Sequence, residues 1–153
     1  MFSLFRKKAS HLFSAEEKAL VEAAIAAAEH RTSGEVRVFV ESKCRFMDAI
    51  DRAQELFSEL GMHQTQQRNA VLVYVAVIDR QLAVYGDQGV HEKVGDTFWN
   101  DSVKTMLSHF NRDNYAQGIA TVVQEIGEEL REHFPYDAAN DRNELPDDIV
   151  FGR

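Results

Sequence analysis

The stretch that decides the fold is NAVLVYVAVIDRQLAVYGDQGVHE, which runs from Asn69 to Glu92. It begins with a nearly unbroken apolar run, 70–78, that is rich in valine and bounded by polar residues. Such a run predicts a strand that is covered on both faces and therefore lies in the middle of a sheet. After the polar pair Asp79-Arg80, a second apolar run predicts a strand over 81–86, so we expect an antiparallel hairpin.

A strand and a helix precede this hairpin. Over 35–41 valine alternates with other residues, which predicts a strand with Val36, Val38 and Val40 on one face. Over 46–60 apolar residues recur at helical spacing, and Gly61 is placed to end that helix. A helix between two strands implies that the strands pair in parallel through a right-handed crossover.

Three further helices complete the predicted fold. The first begins with a capping box formed by Ser14 and Glu17 and extends to about 29, with a narrow face of Leu20, Ala23, Ala24 and Ala27. The others span 97–110 and about 114–133, and Pro135 ends the last one. These elements predict an α/β fold, a three-layer α/β/α sandwich with a small mixed β-sheet. The residues predicted to face inward from the last two helices are Phe98, Val103, Met106, Leu107, Phe110, Ile119, Val122, Val123, Ile126 and Leu130.

Composition divides the chain into a central domain and two terminal segments. Residues 1–13 read as a flexible basic N-terminal arm, 14–134 as the α/β/α domain, and 135–153 as an extended acidic C-terminal tail. The tail carries both prolines, and Leu145, Ile149 and Phe151 are candidates for attaching it to the domain.

Charge and cysteine content limit the functional classes. The net charge of -8 argues against nucleic acid as a partner, because phosphate contacts need a basic surface. The single cysteine, Cys44, excludes an internal disulfide and suits a reducing compartment. No apolar run approaches the about 18 residues of a membrane helix, so we predict a cytoplasmic protein. Weak membrane-surface contact by the N-terminal arm is compatible with its composition.

Acidic residues gather at one edge of the predicted sheet. The predicted topology brings together the starts of two strands, at Glu35 and Asn69, and the end of the third, at Asp87. Glu92 and Asp96 follow within a turn or two and can reach the same edge. Carboxylate and amide oxygens are the ligands that hard cations prefer, so this set predicts a site for Ca²⁺ or Mg²⁺.

Main-chain carbonyls add to this metal prediction, and an alternative without a metal ion stands beside it. The segment around Gly86 and Gly89 is predicted to be a loop whose carbonyls over 88–90 also face the ion. Acids also commonly flank strands and turns, so a polar hairpin exit with solvated carboxylates is the alternative. Asp79 belongs to the opposite edge of the sheet and is explained as a turn residue.

The order of these elements resembles the TPM domain family. The matching segments are SGEVRVFVE, then AVIDRQLAVYGDQGV at the hairpin, then FNRDNYAQGIATVVQEIGEEL, in which Tyr115 to Gly118 match an aromatic-x-x-Gly element. The resemblance covers roughly 13–134. It implies an α/β/α sandwich, divalent cation binding by acidic loop residues in some members, and acid phosphatase activity in a plant member.

Carried over by position, the resemblance points to Glu35, Asp87 and Glu92 as the metal ligands. The chain departs from the family in its loop, which reads Gly-Asp-Gln-Gly where other members have more glycine. We also expect no export signal and no membrane anchor of the kind that many members carry, which argues against an envelope or photosynthetic role.

Three functional hypotheses follow. The first is a protein-interaction module whose acidic loop is ordered by Ca²⁺ or Mg²⁺, with an unidentified protein partner. The second is a metal-assisted phosphatase acting on phosphate monoesters, in which the ion polarises a phosphoryl oxygen and activates water. The third is a structural domain whose acids are ordinary surface acids. No nucleophile or phosphate-binding loop is recognisable, and the first hypothesis accounts best for the clustered acids.

Overall fold

The computed structural model describes residues 12–44, 46–110, 114–137 and 148–152. The strands in these ranges are β1 (Glu35–Glu41), β2 (Ala70–Ala76), β3 (Gln81–Gly86) and β4 (Val150–Phe151), and the helices are α1 (Ala15–Glu29), α2 (Ala49–Glu59), α3 (Gln88–Val94), α4 (Asp96–Phe110) and α5 (Tyr115–His133). The strands form one mixed sheet in the order β3-β2-β1-β4. Strands β1 and β2 are parallel, β3 returns antiparallel to β2, and β4 pairs in parallel with β1. The parallel crossover and the hairpin predicted from the sequence are therefore confirmed.

Helices cover both faces of this sheet. Val36 and Val38 of β1 belong to an apolar cluster with α1, α4 and α5, whereas Phe39 and Tyr74 belong to a second cluster with α2. Successive residues of a strand point to opposite faces, so the two clusters lie on the two sides of the sheet. The predicted three-layer α/β/α sandwich with a small mixed sheet is confirmed.

The central strand β2 is buried along its whole length. Val71, Val73 and Val75 pack into one cluster, and Leu72 and Tyr74 pack into the other. Two-sided burial explains why the sequence is apolar at every position instead of alternating.

Helix α1 uses a different face from the one predicted. Its capping box is as expected, with Ser14 Oγ accepting from the Glu17 N–H at 3.0 Å. The buried residues are Val21, Ala24, Ile25 and Ala28, whereas Leu20 is 42% exposed. The face is set by close contact with α5, where a Cβ added at Gly127 would lie 2.7 Å from the Ala28 Cβ.

Several boundaries differ from the predicted ones. The second helix begins at Ala49 instead of 46, because Phe46 has φ of 67° and is fully exposed. Strand β2 ends at Ala76, and a turn over 77–80 leads into β3. The segment predicted to be a loop after β3 forms helix α3, and the predicted tail supplies strand β4.

The terminal segments are described only in part. Phe13 is buried and its ring lies 6.0 Å from that of Phe151, measured between centroids. Ile149 is also buried, in agreement with its expected attachment to the domain, whereas Leu145 lies outside the described residues. The boundaries proposed at 13 and 135 remain predictions. Within the described ranges, no helix has the length and apolar character needed to cross a bilayer.

A buried polar network joins α2 to the sheet. The Tyr74 hydroxyl, in a fully buried side chain, donates a hydrogen bond to Glu41, and Arg52 of α2 donates to both oxygens of that carboxylate at 3.0 and 3.1 Å. Burial and the bond to Glu41 raise the pKa of Tyr74 well above its usual value. The network satisfies a carboxylate that would otherwise be costly to bury.

We expect Tyr74→Phe to lower the free energy of unfolding by about 1–2 kcal/mol at neutral pH, because Glu41 loses a donor. The raised pKa of Tyr74 also predicts a pH dependence. The contribution of Tyr74 to the free energy of unfolding is fully present below the unfolded-state pKa of about 10. It declines at higher pH, because the unfolded chain then releases a proton that the folded protein keeps.

Urea unfolding of both proteins between pH 7 and pH 11 measures this effect. The stability of the variant should fall less steeply above pH 10 than that of the wild-type protein. Tyr136→Phe is the matched control, because Tyr136 is 49% exposed. Equal slopes for the wild-type protein and Tyr74→Phe would contradict the assignment.

Candidate functional site

The sheet edge predicted to carry the acids exists as expected. Glu35 at the start of β1 is in register with Ala70 at the start of β2. On the other side of β2, the Asp87 N–H donates to the Ala70 carbonyl at 2.9 Å. Glu35, Ala70 and Asp87 therefore form one row across the sheet.

Glu35 and Asn69 are both buried, with exposures of 2% and 1%. Strand alternation places the Glu35 side chain on the α2 face, opposite Val36, and the Asn69 side chain on the other face with Val71. The Asn69 amide donates to Ser33 Oγ at 3.4 Å. The amide and the carboxylate predicted to act together thus belong to different layers.

Asp87 is buried and held by a cation and a helix. Arg68 donates to its two carboxylate oxygens from Nε at 2.7 Å and from Nη2 at 2.8 Å. The same carboxylate accepts from the Gln88 N–H at 2.7 Å and caps α3. The pKa of Arg68 is raised above its usual value, first by its hydrogen bonds to Asp87 and then by the attraction of the Asp87 charge. An ion at Asp87 would have to compete with a forked guanidinium contact.

Glu92 is not drawn into this row. Glu92 is exposed on α3 and accepts from Gln88 Nε2 at 3.2 Å. Asp96 begins α4, but its side chain lies outside the described part of the structure. Among the described side chains, three ligand atoms lie within 4.8 Å of one another at a different place, the end of α5, in the set Glu129, Glu132 and His133.

The predicted carbonyl ligands belong to the first turn of α3. The Asp87 carbonyl accepts from the Val90 and His91 N–H groups at 3.0 and 2.9 Å, which closes that turn. Carbonyls within a helical turn point along the helix axis. Contrary to the prediction, those of 88–90 therefore do not face the sheet edge. Gly89 is required there, because an added Cβ would lie 2.4 Å from the Gln67 carbonyl oxygen.

An open groove of about 1000 Å³ lies along the outer edge of β3 and was not predicted from the sequence. Strand β3 forms its floor, α2 one wall and α4 the other. Apolar side chains on both walls, Ile50 on α2 and Trp99 and Val103 on α4, face this space together with polar ones. Arg68, Asp87 and His91 lie at the end where β3 meets α3.

Sequence reasoning missed the groove because it predicted that Val103 faces inward, whereas Val103 is half-buried and also lines the groove. The signal that was available is the strand order, since β3 is the last strand of a hairpin and has one sheet neighbour among the described strands. Its sequence, QLAVYG, also lacks the lysine or proline that usually protects an edge strand.

The comparison with protein families agrees with this architecture. The model of the TPM domain matches residues 7–129. The chain belongs to the TPM domain family. The resemblance stated from the sequence is thereby confirmed, and so is the fold that it implied. Among curated proteins, none is similar enough to this chain to count as a match.

Solved structures support the same fold. This TPM domain is similar to the BA42 protein of the psychrophilic bacterium Bizionia argentinensis, with 37% identity over 90% of this chain and 94% of that one and a TM-score of 0.83. An N-terminal domain from P. gingivalis is 18% identical, covers 82% and 83% of the two chains, and has a TM-score of 0.68. The N-terminal domain of cg2496 from Corynebacterium glutamicum is 16% identical, covers 76% and 72%, and has a TM-score of 0.59.

We expect Asp87→Ala to lower the free energy of unfolding by about 1–3 kcal/mol, because it removes a helix cap and a buried acceptor. Glu92→Ala is the matched control on the same helix, and its effect should stay within about 0.5 kcal/mol. Chemical denaturation in the presence of excess chelator measures both. Equal effects of the two substitutions would show that the Arg68–Asp87 contact does not hold α3 in place.

Proposed function

We propose that this TPM domain is a protein-interaction module and that its binding surface is the groove along β3. The observation that carries the proposal is an uncharged edge strand at the floor of an open groove of about 1000 Å³. Edge strands without lysine, proline or a bulge readily pair with another chain, so proteins usually protect them. An unprotected edge between two helical walls suits a binding surface.

Exposed apolar side chains support this proposal. Ile50 on the α2 wall is 42% exposed, and Val103 on the α4 wall is half-buried. Single exposed apolar residues are ordinary, but these two line the same groove from opposite walls. The groove offers apolar walls, a main-chain floor and a few polar groups at one end, which is the composition of peptide-binding surfaces.

Selection from a displayed library of random dodecapeptides tests the proposed function. We expect peptides that bind the wild-type chain and lose at least about tenfold in affinity for Ile50→Glu and for Val103→Glu, because each substitution puts a charge into an apolar wall. Ser108→Glu, on the same helix as Val103 but outside the groove, is the matched control and should bind normally.

Circular dichroism and melting temperature establish that each variant is folded before binding is compared. Ile50 is already partly exposed, so Ile50→Glu keeps the test decisive even if Val103→Glu fails to fold. Failure to select any peptide, or selected peptides that bind both variants as well as the wild-type chain, would overturn the proposed function.

Divalent cation binding is the second candidate function. It is favoured by two acids in one row, Glu35 and Asp87, that are 2% and 3% exposed. Their carboxylate oxygens suit Ca²⁺ or Mg²⁺, but Arg68 already neutralises Asp87, so the described residues do not form a prepared site for an ion. Glu92 and Asp96 are the additional ligands that the sequence proposed, and a bound ion would require the loss of the Arg68 contact.

Thermal unfolding in millimolar Ca²⁺, millimolar Mg²⁺ or excess chelator tests cation binding. Binding to the folded state alone raises the melting temperature in a saturable way. We expect at most a small rise for the wild-type chain and a larger one for Arg68→Gln, which removes the competing cation. Glu35→Gln in the Arg68→Gln background should abolish the rise, whereas Thr121→Val in that background should not.

The same samples test the alternative of a metal-assisted phosphatase. A phosphatase would hydrolyse p-nitrophenyl phosphate in the presence of the ion that stabilises it, and would lose this activity with chelator. Hydrolysis that persists in the Glu35→Gln sample, and in Asp87→Ala assayed beside it, would exclude these residues as its ligands.

A further inference from the structure

We infer that the partner of the groove is an extended polypeptide segment that binds by adding a strand to the sheet at β3. This inference rests on the proposed function and specifies its ligand. Among the described strands β3 has β2 as its one neighbour, so one side of its main chain has no sheet partner. A polypeptide strand is the ligand that matches such an edge along its length.

The register of the hairpin identifies the main-chain groups that face the groove. Asp87 and Ala70 form a hydrogen-bonded pair, because the Asp87 N–H donates to the Ala70 carbonyl at 2.9 Å. Bonded and non-bonded pairs alternate along an antiparallel ladder. Leu82, Val84 and Gly86 therefore belong to the non-bonded pairs, and their N–H and C=O groups point away from β2 into the groove.

The walls define the side chains that such a segment would carry. Trp99 packs against Gly86, where an added Cβ would lie 2.5 Å from the indole ring, and Val103 continues the same wall. In a bound strand every second side chain would face this apolar wall. The intervening side chains would face Ile50 and Gln54 on α2, which accept a mixture of apolar and polar groups.

The charge at one end of the groove specifies the segment further. Arg68 is 48% exposed along its side chain, whereas the Asp87 carboxylate that it binds is 4% exposed. The guanidinium is therefore exposed to solvent, whereas the carboxylate is not. An acidic residue, or a terminal carboxylate, at the Gly86 end of the bound strand would complement this surface. The ligand class is thus an extended segment with apolar residues at alternate positions, no proline at the bonded positions and an acid at one end.

Amide hydrogen exchange of the free protein tests the open edge without a ligand. The amides of Leu82, Val84 and Gly86 should exchange at least about tenfold faster than those of Ala83 and Tyr85, which lie within the β2–β3 ladder. Uniform protection of all five amides would show that the edge is already covered, and would overturn the inference.

Peptides selected from the dodecapeptide library supply the second test. N-methylation of one residue at a time should weaken binding by about tenfold at every second position and by less than about threefold at the positions between them, since only alternate N–H groups of an added strand reach β3. Bound peptide should also slow exchange at Leu82, Val84 and Gly86.

The outcomes separate this inference from the proposed function. Peptides that depend on Ile50 and Val103 but show no alternation on N-methylation would leave the interaction module standing and overturn strand addition. Light scattering of the free chain tests whether a second copy of the chain occupies the groove. A dimer that Ile50→Glu dissociates would show that a second copy fills the groove, and would overturn a separate partner.

Discussion

Burial of β2 on both faces is the constraint on which the rest of the structure depends. All seven of its residues are buried, so helices must cover the sheet from two sides. Helix α2 covers one face, and α1, α4 and α5 contribute the other layer. The main chain of a buried strand must also be fully hydrogen-bonded. Strands β1 and β3 meet that requirement on either side, and among the described strands β3 has no neighbour on its outer edge.

The same burial determines what the acids do. A carboxylate taken out of water needs a charged or hydrogen-bonding partner, and the fold provides one from a neighbouring element. Glu41 receives bonds from Tyr74 and Arg52, and Asp87 receives them from Arg68. Asp87, which the sequence predicts as a metal ligand, is thus explained as a structural acceptor. These contacts join α2 to the sheet and hold the start of α3 beside β2.

The groove is a consequence of sheet order and helix placement together. Helices α2 and α4 pack on opposite faces of β3 and form two walls, with the edge of the strand between them. The residues on the walls are the basis on which we propose a polypeptide ligand for this chain.

The sequence by itself determined the elements whose signals are local. The valine-rich run of β2, the alternation in β1, the capping box of α1 and the apolar stripe of α5 each depend on neighbours within a few residues. The order of these elements was enough to predict the mixed sheet, because crossover and hairpin connections have strong geometric preferences. The same preferences of crossover and hairpin connections predicted that Glu35 and Asp87 lie at one edge of the sheet.

Only the tertiary structure decided the features that depend on distant partners. The buried face of α1 follows from its contact with Gly127, and the pairing of Asp87 follows from the position of Arg68. Strand β4 has two residues, too few for a periodic signal, and exists because β1 offers it an edge. The groove depends on side chains from α2 and α4 that meet only after folding. Periodicity and capping report on the local chain, whereas the choice of packing and hydrogen-bonding partner is settled by elements far apart in sequence.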